Sequence, residues 1–97
     1  MKEVNAQIVD VDIQFYREYR RVAIEFILRS ALGECHITIP ANQATIMELF
    51  VVLDVSCLDM LRNSYVRMIV DDDEKVKGLK HIMNDGNGVF EYKGNYI

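Results

Sequence analysis

Ala41-Asn42-Gln43-Ala44-Thr45-Ile46-Met47-Glu48-Leu49-Phe50-Val51-Val52-Leu53-Asp54-Val55 is the stretch whose reading decides the fold. It is the only convincing helix between two blocks of alternating, strand-like sequence. From Ile46 to Val55 only Glu48 and Asp54 interrupt the apolar run, whereas a helix with one wet face carries polar residues opposite its apolar stripe. One stripe, Ile46, Leu49, Phe50 and Leu53, is expected to cover a sheet. Met47, Val51 and Val55 then seek a second surface. Asn42 is the expected N-cap, since its side chain can accept from the free amides of the first turn.

Outward from the helix, the N-terminal side reads as three strands. Val9, Val11, Ile13 and Phe15 alternate with Asp10, Asp12 and Gln14, while Val4, Ala6 and Ile8 have the opposite parity. The phase flips near Ile8–Val9, which predicts a bulge or bend. Arg17-Glu18-Tyr19 lacks glycine, so a loose type I connection is expected and not a primed hairpin turn. Val22, Ile24, Phe26 and Leu28 point inward against Arg21, Glu25 and Arg29. After Ala31-Leu32-Gly33, the residues Cys35, Ile37 and Ile39 alternate with Glu34, His36 and Thr38, and Pro40 ends the ladder.

On the C-terminal side, Ser56-Cys57-Leu58-Asp59 matches an acidic capping box and predicts a short helical turn to Arg62. Ser64 to Val70 and Lys75 to Met83 read as a hairpin about the turn Asp71 to Glu74, with a bulge at Gly78. Val89 to Tyr92 supplies a sixth, short strand. The expected fold class is α+β: a bent antiparallel sheet in the order β-β-β-α-β-β, wrapped on one central helix, in a single domain over 1–97.

Composition narrows the function. Fifteen acids against eleven bases give a net charge of −4, and without a basic face general duplex-DNA binding is not expected. Hydrophobic residues are 51% and charged ones 27%, which suits a packed domain and not a disordered chain. The apolar run at Leu49 to Leu53 is far short of a membrane span. Met1 to Gln7 runs straight into a strand pattern, and two cysteines are too few for a disulfide framework. The chain reads as cytoplasmic.

No constellation asks for catalysis. Cys35, His36, Cys57 and His81 lack the close ligand pairs of structural zinc sites. No nucleophile elbow, P-loop or HExxH pattern occurs. Asp71 to Glu74 lacks the spaced carboxylates and glycine of an EF-hand loop. The reading therefore assigns no catalytic residue, no metal and no cofactor.

Two surface clusters remain. Tyr16, Arg17, Tyr19, Arg20 and Arg21 sit at the first hairpin tip, and tyrosine with arginine supplies rigid contact area, stacking and bidentate donors. Tyr65 and Arg67 form a second cluster of the same kind. Either could meet an acidic protein, a phosphate-bearing nucleotide or a nucleic-acid single strand. The stripe Met47, Val51 and Val55 predicts a homodimer through the helix.

The C-terminal half, with Leu61, Tyr65-Val66-Arg67, an acidic turn, Val76, Leu79, His81-Ile82, Asp85 and Phe90, resembles small accessory proteins of phages and prophages of low-GC Gram-positive bacteria. The opening Asn5-Ala6-Gln7-Ile8 is similar too. Those relatives carry a glycine-rich middle and a terminal Trp-Phe; here the middle is rich in arginine and tyrosine, and tryptophan is absent. The resemblance implies a phage protein without catalytic activity that counters a host defence in the host cytoplasm. Its first implied partner is a host defence protein, such as a CRISPR effector nuclease. The alternative is a sponge for a cyclic or ADP-ribose-derived nucleotide, with Arg17, Arg20, Arg21 or Arg67 on the phosphates. A structural or DNA-replication accessory role is the third.

Overall fold

A computed structural model describes residues 1–96. In chain order it contains β1 (Lys2–Tyr16), β2 (Arg21–Ser30), β3 (Gly33–Pro40), the helix α1 (Gln43–Leu53), a 3-10 turn at Leu58–Leu61, β4 (Tyr65–Val70), β5 (Val76–His81), a second 3-10 turn at Asp85–Asn87, and β6 (Val89–Glu91). The six strands form one antiparallel sheet in the order β3-β2-β1-β4-β5-β6. The sheet is not closed. The expected α+β architecture is present, with the short sixth strand in place.

β1 is the spine. Its first part, Lys2–Gln7, pairs with β4, and its longer second part, Ala6–Tyr16, pairs with β2. Ile8 faces Leu28 and Asp10 faces Ile27, which leaves Val9 as the extra residue of a bulge. The side-chain parity inverts across it, so that Ala6 and Ile8 are buried before the bulge and Val11 after it. A second irregularity falls beside Gly78, where β4 and β5 slip by one residue between Ile69 and Val70.

The core lies between the inner face of the sheet and the helix. Ile8, Ile24, Phe26, Leu28, Val70 and Leu79 from the sheet are fully buried with Leu49 from α1. Each such side chain contributes about 1.5–3 kcal/mol through the water it sheds. Asn42 caps the helix as expected, its Oδ1 accepting from the Thr45 amide at 2.9 Å. At the other end Asp54 adopts a left-handed conformation (φ 55°) and stops the helix after Leu53.

Four local expectations are corrected. Leu49, Val52 and Leu53 are the buried residues of the helix, while Ile46 and Phe50 are only partly covered. Val55 does not extend the outward stripe, because the turn at Asp54 takes it off the helix and packs it against the core. The capping box at Ser56 does not form: Cys57 takes the cap position without a side-chain bond, and the Ser56 hydroxyl donates to the Met60 thioether at 3.2 Å. Finally, β5 ends at His81 and not at Met83. The His81 Nδ1 accepts from the amides of Met83 and Asn84 at 3.1 and 3.0 Å, drawing the chain into a turn.

Candidate functional site: the β1–β2 arm

Beyond Gln7 the spine strand loses β4, and beyond Ala23 the second strand loses β3. The β1–β2 pair runs on as an arm, flanked by β3 at its root and two-stranded only at its end, which closes in the loop Arg17–Arg20. Its last ladder pairs are Phe15 with Val22 and Tyr16 with Arg21. In the loop the Tyr19 amide donates to the Tyr16 carbonyl at 3.2 Å, and Arg20 has φ 50°. A left-handed arginine is unusual, since that region suits glycine, asparagine or aspartate.

The root of the arm is clamped. Arg62 donates from Nη1 to Asp10 Oδ1 at 2.7 Å and from Nη2 to the Val11 carbonyl at 2.8 Å. The edge that β4 abandons is protected by the strand's own aspartates. The Val11 amide donates to Asp10 Oδ1 and the Ile13 amide to Asp12 Oδ1, each at 3.0 Å. Edge amides bound in this way are poor templates for another strand. The polar alternation Asp10, Asp12, Gln14 thus has a second use besides facing water.

The sequence clusters fare differently. Arg17, Tyr19 and Arg20 stand exposed at the tip, and Tyr16 is half-buried beside a shallow hollow that it lines with Arg17 and Tyr19. Arg21 is occupied: its guanidinium lies 5.2 Å from the centre of the Tyr96 ring and donates to the Tyr96 carbonyl at 3.5 Å. Tyr96 in turn ties the end of the described chain to β3, its amide donating to Thr38 O at 3.2 Å and Oγ1 at 3.0 Å.

No family model, curated protein or solved structure matches the chain.

The second cluster is not joined to the first. Tyr65 pairs with Gln7, and Tyr16 lies nine positions further along β1 than Gln7, roughly 30 Å of extended chain. Tyr65 is exposed, but Arg67 is enclosed in an ion-pair network. It donates to Glu3 at 2.9 Å, to Asp85, and from Nε to the His81 carbonyl at 2.9 Å. Lys80 completes the group, 3.0 Å from Glu3 and 3.1 Å from Asp85. Only 17% of the Arg67 side chain and 14% of that of Lys80 remain exposed. Two cations facing two anions leave little net field for a phosphate. This network joins β1, β4 and β5 across the outer face.

Its electrostatics give a pH prediction. Hydrogen bonds first from Arg67 and then from Lys80 hold the Asp85 carboxyl below the ordinary carboxylate range. Asp71 is lowered as well, chiefly because its side chain accepts the Lys75 amide and then that of Asp73. For groups whose folded pKa lies below the unfolded one, the stabilisation is complete above the unfolded value, about 3.9, and disappears as pH falls through the folded value. The urea midpoint should therefore hold steady from pH 7 to about 5 and drop below about pH 4. Asp85→Asn should flatten that acid limb. A midpoint with the same acid slope in both proteins would show that the network contributes nothing, as exposed pairs sometimes do.

Cys35 is half-buried, with its thiol 4.0 Å from the Met68 sulfur and its pKa pushed up by burial, while Cys57 is exposed. Among the described residues no three His, Cys, Asp or Glu side chains converge on a point that could hold a metal ion. Among the described residues no helix is long and apolar enough to cross a membrane. Of the proposed helical stripe, Met47 and Val51 are exposed.

What the sequence analysis missed is the inner face of the arm. Ile13, Phe15 and Val22 are 56%, 60% and 44% exposed, although they share the row that is core elsewhere in the sheet. Alternation alone marks them as core. The available signal was length: β1 is fifteen residues long and β4 only six.

Proposed function

We propose that the chain is a non-catalytic binding protein of the phage counter-defence kind, which engages a host defence protein such as a CRISPR effector nuclease through the tip of the β1–β2 arm. One observation carries the reading: the loop that ends the arm holds exposed Arg17, Tyr19 and Arg20, with Arg20 in a left-handed backbone. Backbone strain of this sort costs on the order of 1–3 kcal/mol and clusters at binding sites. Tyrosine and arginine are also the residues that dominate hot spots. The shallow hollow beside the tip lacks the enclosure typical of nucleotide pockets, which favours a protein partner over the sponge.

The test uses a purified effector nuclease and its DNA cleavage. Wild-type chain should inhibit cleavage, and Tyr19→Ala with Arg20→Ala should weaken inhibition tenfold or more with the thermal midpoint unchanged. Inhibition unaltered in the double variant would remove the tip from the interface. Stabilisation by a cyclic nucleotide, with no effect on any nuclease, would replace the protein partner with the nucleotide.

A further inference from the structure

We infer that the inner face of the β1–β2 arm is the seam of a two-fold homodimer, in which the arms of two copies lie antiparallel, tip against root. Across the ladder Val11 faces Phe26, Ile13 faces Ile24, and Phe15 faces Val22. Directly opposed residues point to the same side of a sheet, so these six side chains form one apolar row. Its inner half, Val11, Ile24 and Phe26, is buried under the body of the domain. Its outer half, Ile13, Phe15 and Val22, continues the same face but is about half exposed. The row is the core of this protein extended past its own cover.

Charge selects the occupant. The tip carries Arg17 and Arg20 against Glu18, whereas the charged residues beside Ile13 at the root are Asp12 and Asp59 with Arg62. Asp12, Ile13 and Asp59 border one hollow with Arg62, so the acidic root flanks the apolar row directly. A ribbon that is basic at one end, acidic at the other and apolar between is complementary to itself when turned end for end. That is the requirement of an isologous two-fold contact, where one patch meets its own copy. Parallel arms would set arginine against arginine. The aspartate-capped edge of β1 favours face-to-face packing over strand addition.

This seam differs from the helix-centred dimer that Met47 and Val51 suggest. It also shares the tip with the target site proposed above, so a target that takes the tip would compete with self-association; the seam itself does not depend on that target.

Sedimentation velocity of the full chain over a range of concentrations tests it. Wild-type protein should reach twice its 11.2 kDa mass. Phe15→Glu should weaken association at least tenfold with the thermal midpoint held, and Val51→Glu should leave association unchanged. Reversing the tip (Arg17→Glu with Arg20→Glu) or the root (Asp12→Arg with Asp59→Arg) should each weaken the dimer, and combining the two pairs should restore it. A chain that stays monomeric at every concentration overturns the inference. So does a dimer broken by Val51→Glu but not by Phe15→Glu, or one that the combined reversal fails to restore.

Discussion

Phe26→Ala is expected to lower the free energy of unfolding by about 3–5 kcal/mol, while Phe15→Ala, on the same face of the same ribbon, should cost less than about 0.5 kcal/mol in dilute solution. Phe26 has no exposed surface and lies within the core with Ile24, Leu28 and Leu49. Its removal loses the transfer free energy of the ring and leaves a cavity that the sheet, held on both sides by β1 and β3, cannot close. Small domains have total stabilities of about 5–15 kcal/mol, so the variant sits close to unfolding at room temperature. Phe15 is 60% exposed and lies four ladder pairs further toward the tip. Urea titration at a concentration below self-association compares the two. Equal losses would mean that the arm folds back on the body and that its apolar row is already covered.

Gly78→Val should destabilise the domain by about 1–3 kcal/mol, toward the upper end, and should detach β6 first. Gly78 is buried on β5 beside the register slip. A Cβ built there meets the Phe90 carbonyl oxygen and the Val89 Cγ1 at 3.0 Å each, with Ile69 Cδ1 at 3.5 Å. The Val89 methyl can rotate away, but the carbonyl belongs to the backbone of the next strand. Valine adds two further carbons to a space that does not hold the first. β6 is only three residues long, so displacing it also uncovers Phe90 and Tyr92, which close that end of the core. Hydrogen exchange should show amides of residues 89–92 losing protection before those of β1 and β2. Unchanged stability and exchange would mean that β6 lies further from Gly78 than the ladder indicates.

Both results bear on how the molecule can act. A core that depends on a few central side chains tolerates a projecting arm, because the arm adds little to stability and is free to be shaped by what it contacts. The exposed arginines and tyrosine cost the fold little. The apolar row beside them is tolerated only if something covers it for much of the time, since exposed patches of this kind otherwise promote aggregation.

Much of this architecture was legible from local pattern. The bulge at Val9 shows in the sequence because strand parity is a two-residue property, and Ala6 and Ile8 fall out of phase with Val11. Asn42 shows because capping is settled within three residues, between its Oδ1 and the Thr45 amide. The place of Val55 does not show, because it turns on the backbone angle of Asp54. Nor does the state of Arg67, whose partners Glu3 and Asp85 lie 64 and 18 residues away.

By itself, then, the amino-acid order determined the strands, the helix, their sequence along the chain and the side of the sheet on which most strand residues lie, since all of these depend on neighbours a few positions apart. Tertiary structure alone decided which of those apolar residues have cover. Burial at Phe26 and exposure at Phe15 arise from where β3, β4 and the helix end relative to the β1–β2 ribbon, a matter of lengths in space that periodicity does not encode.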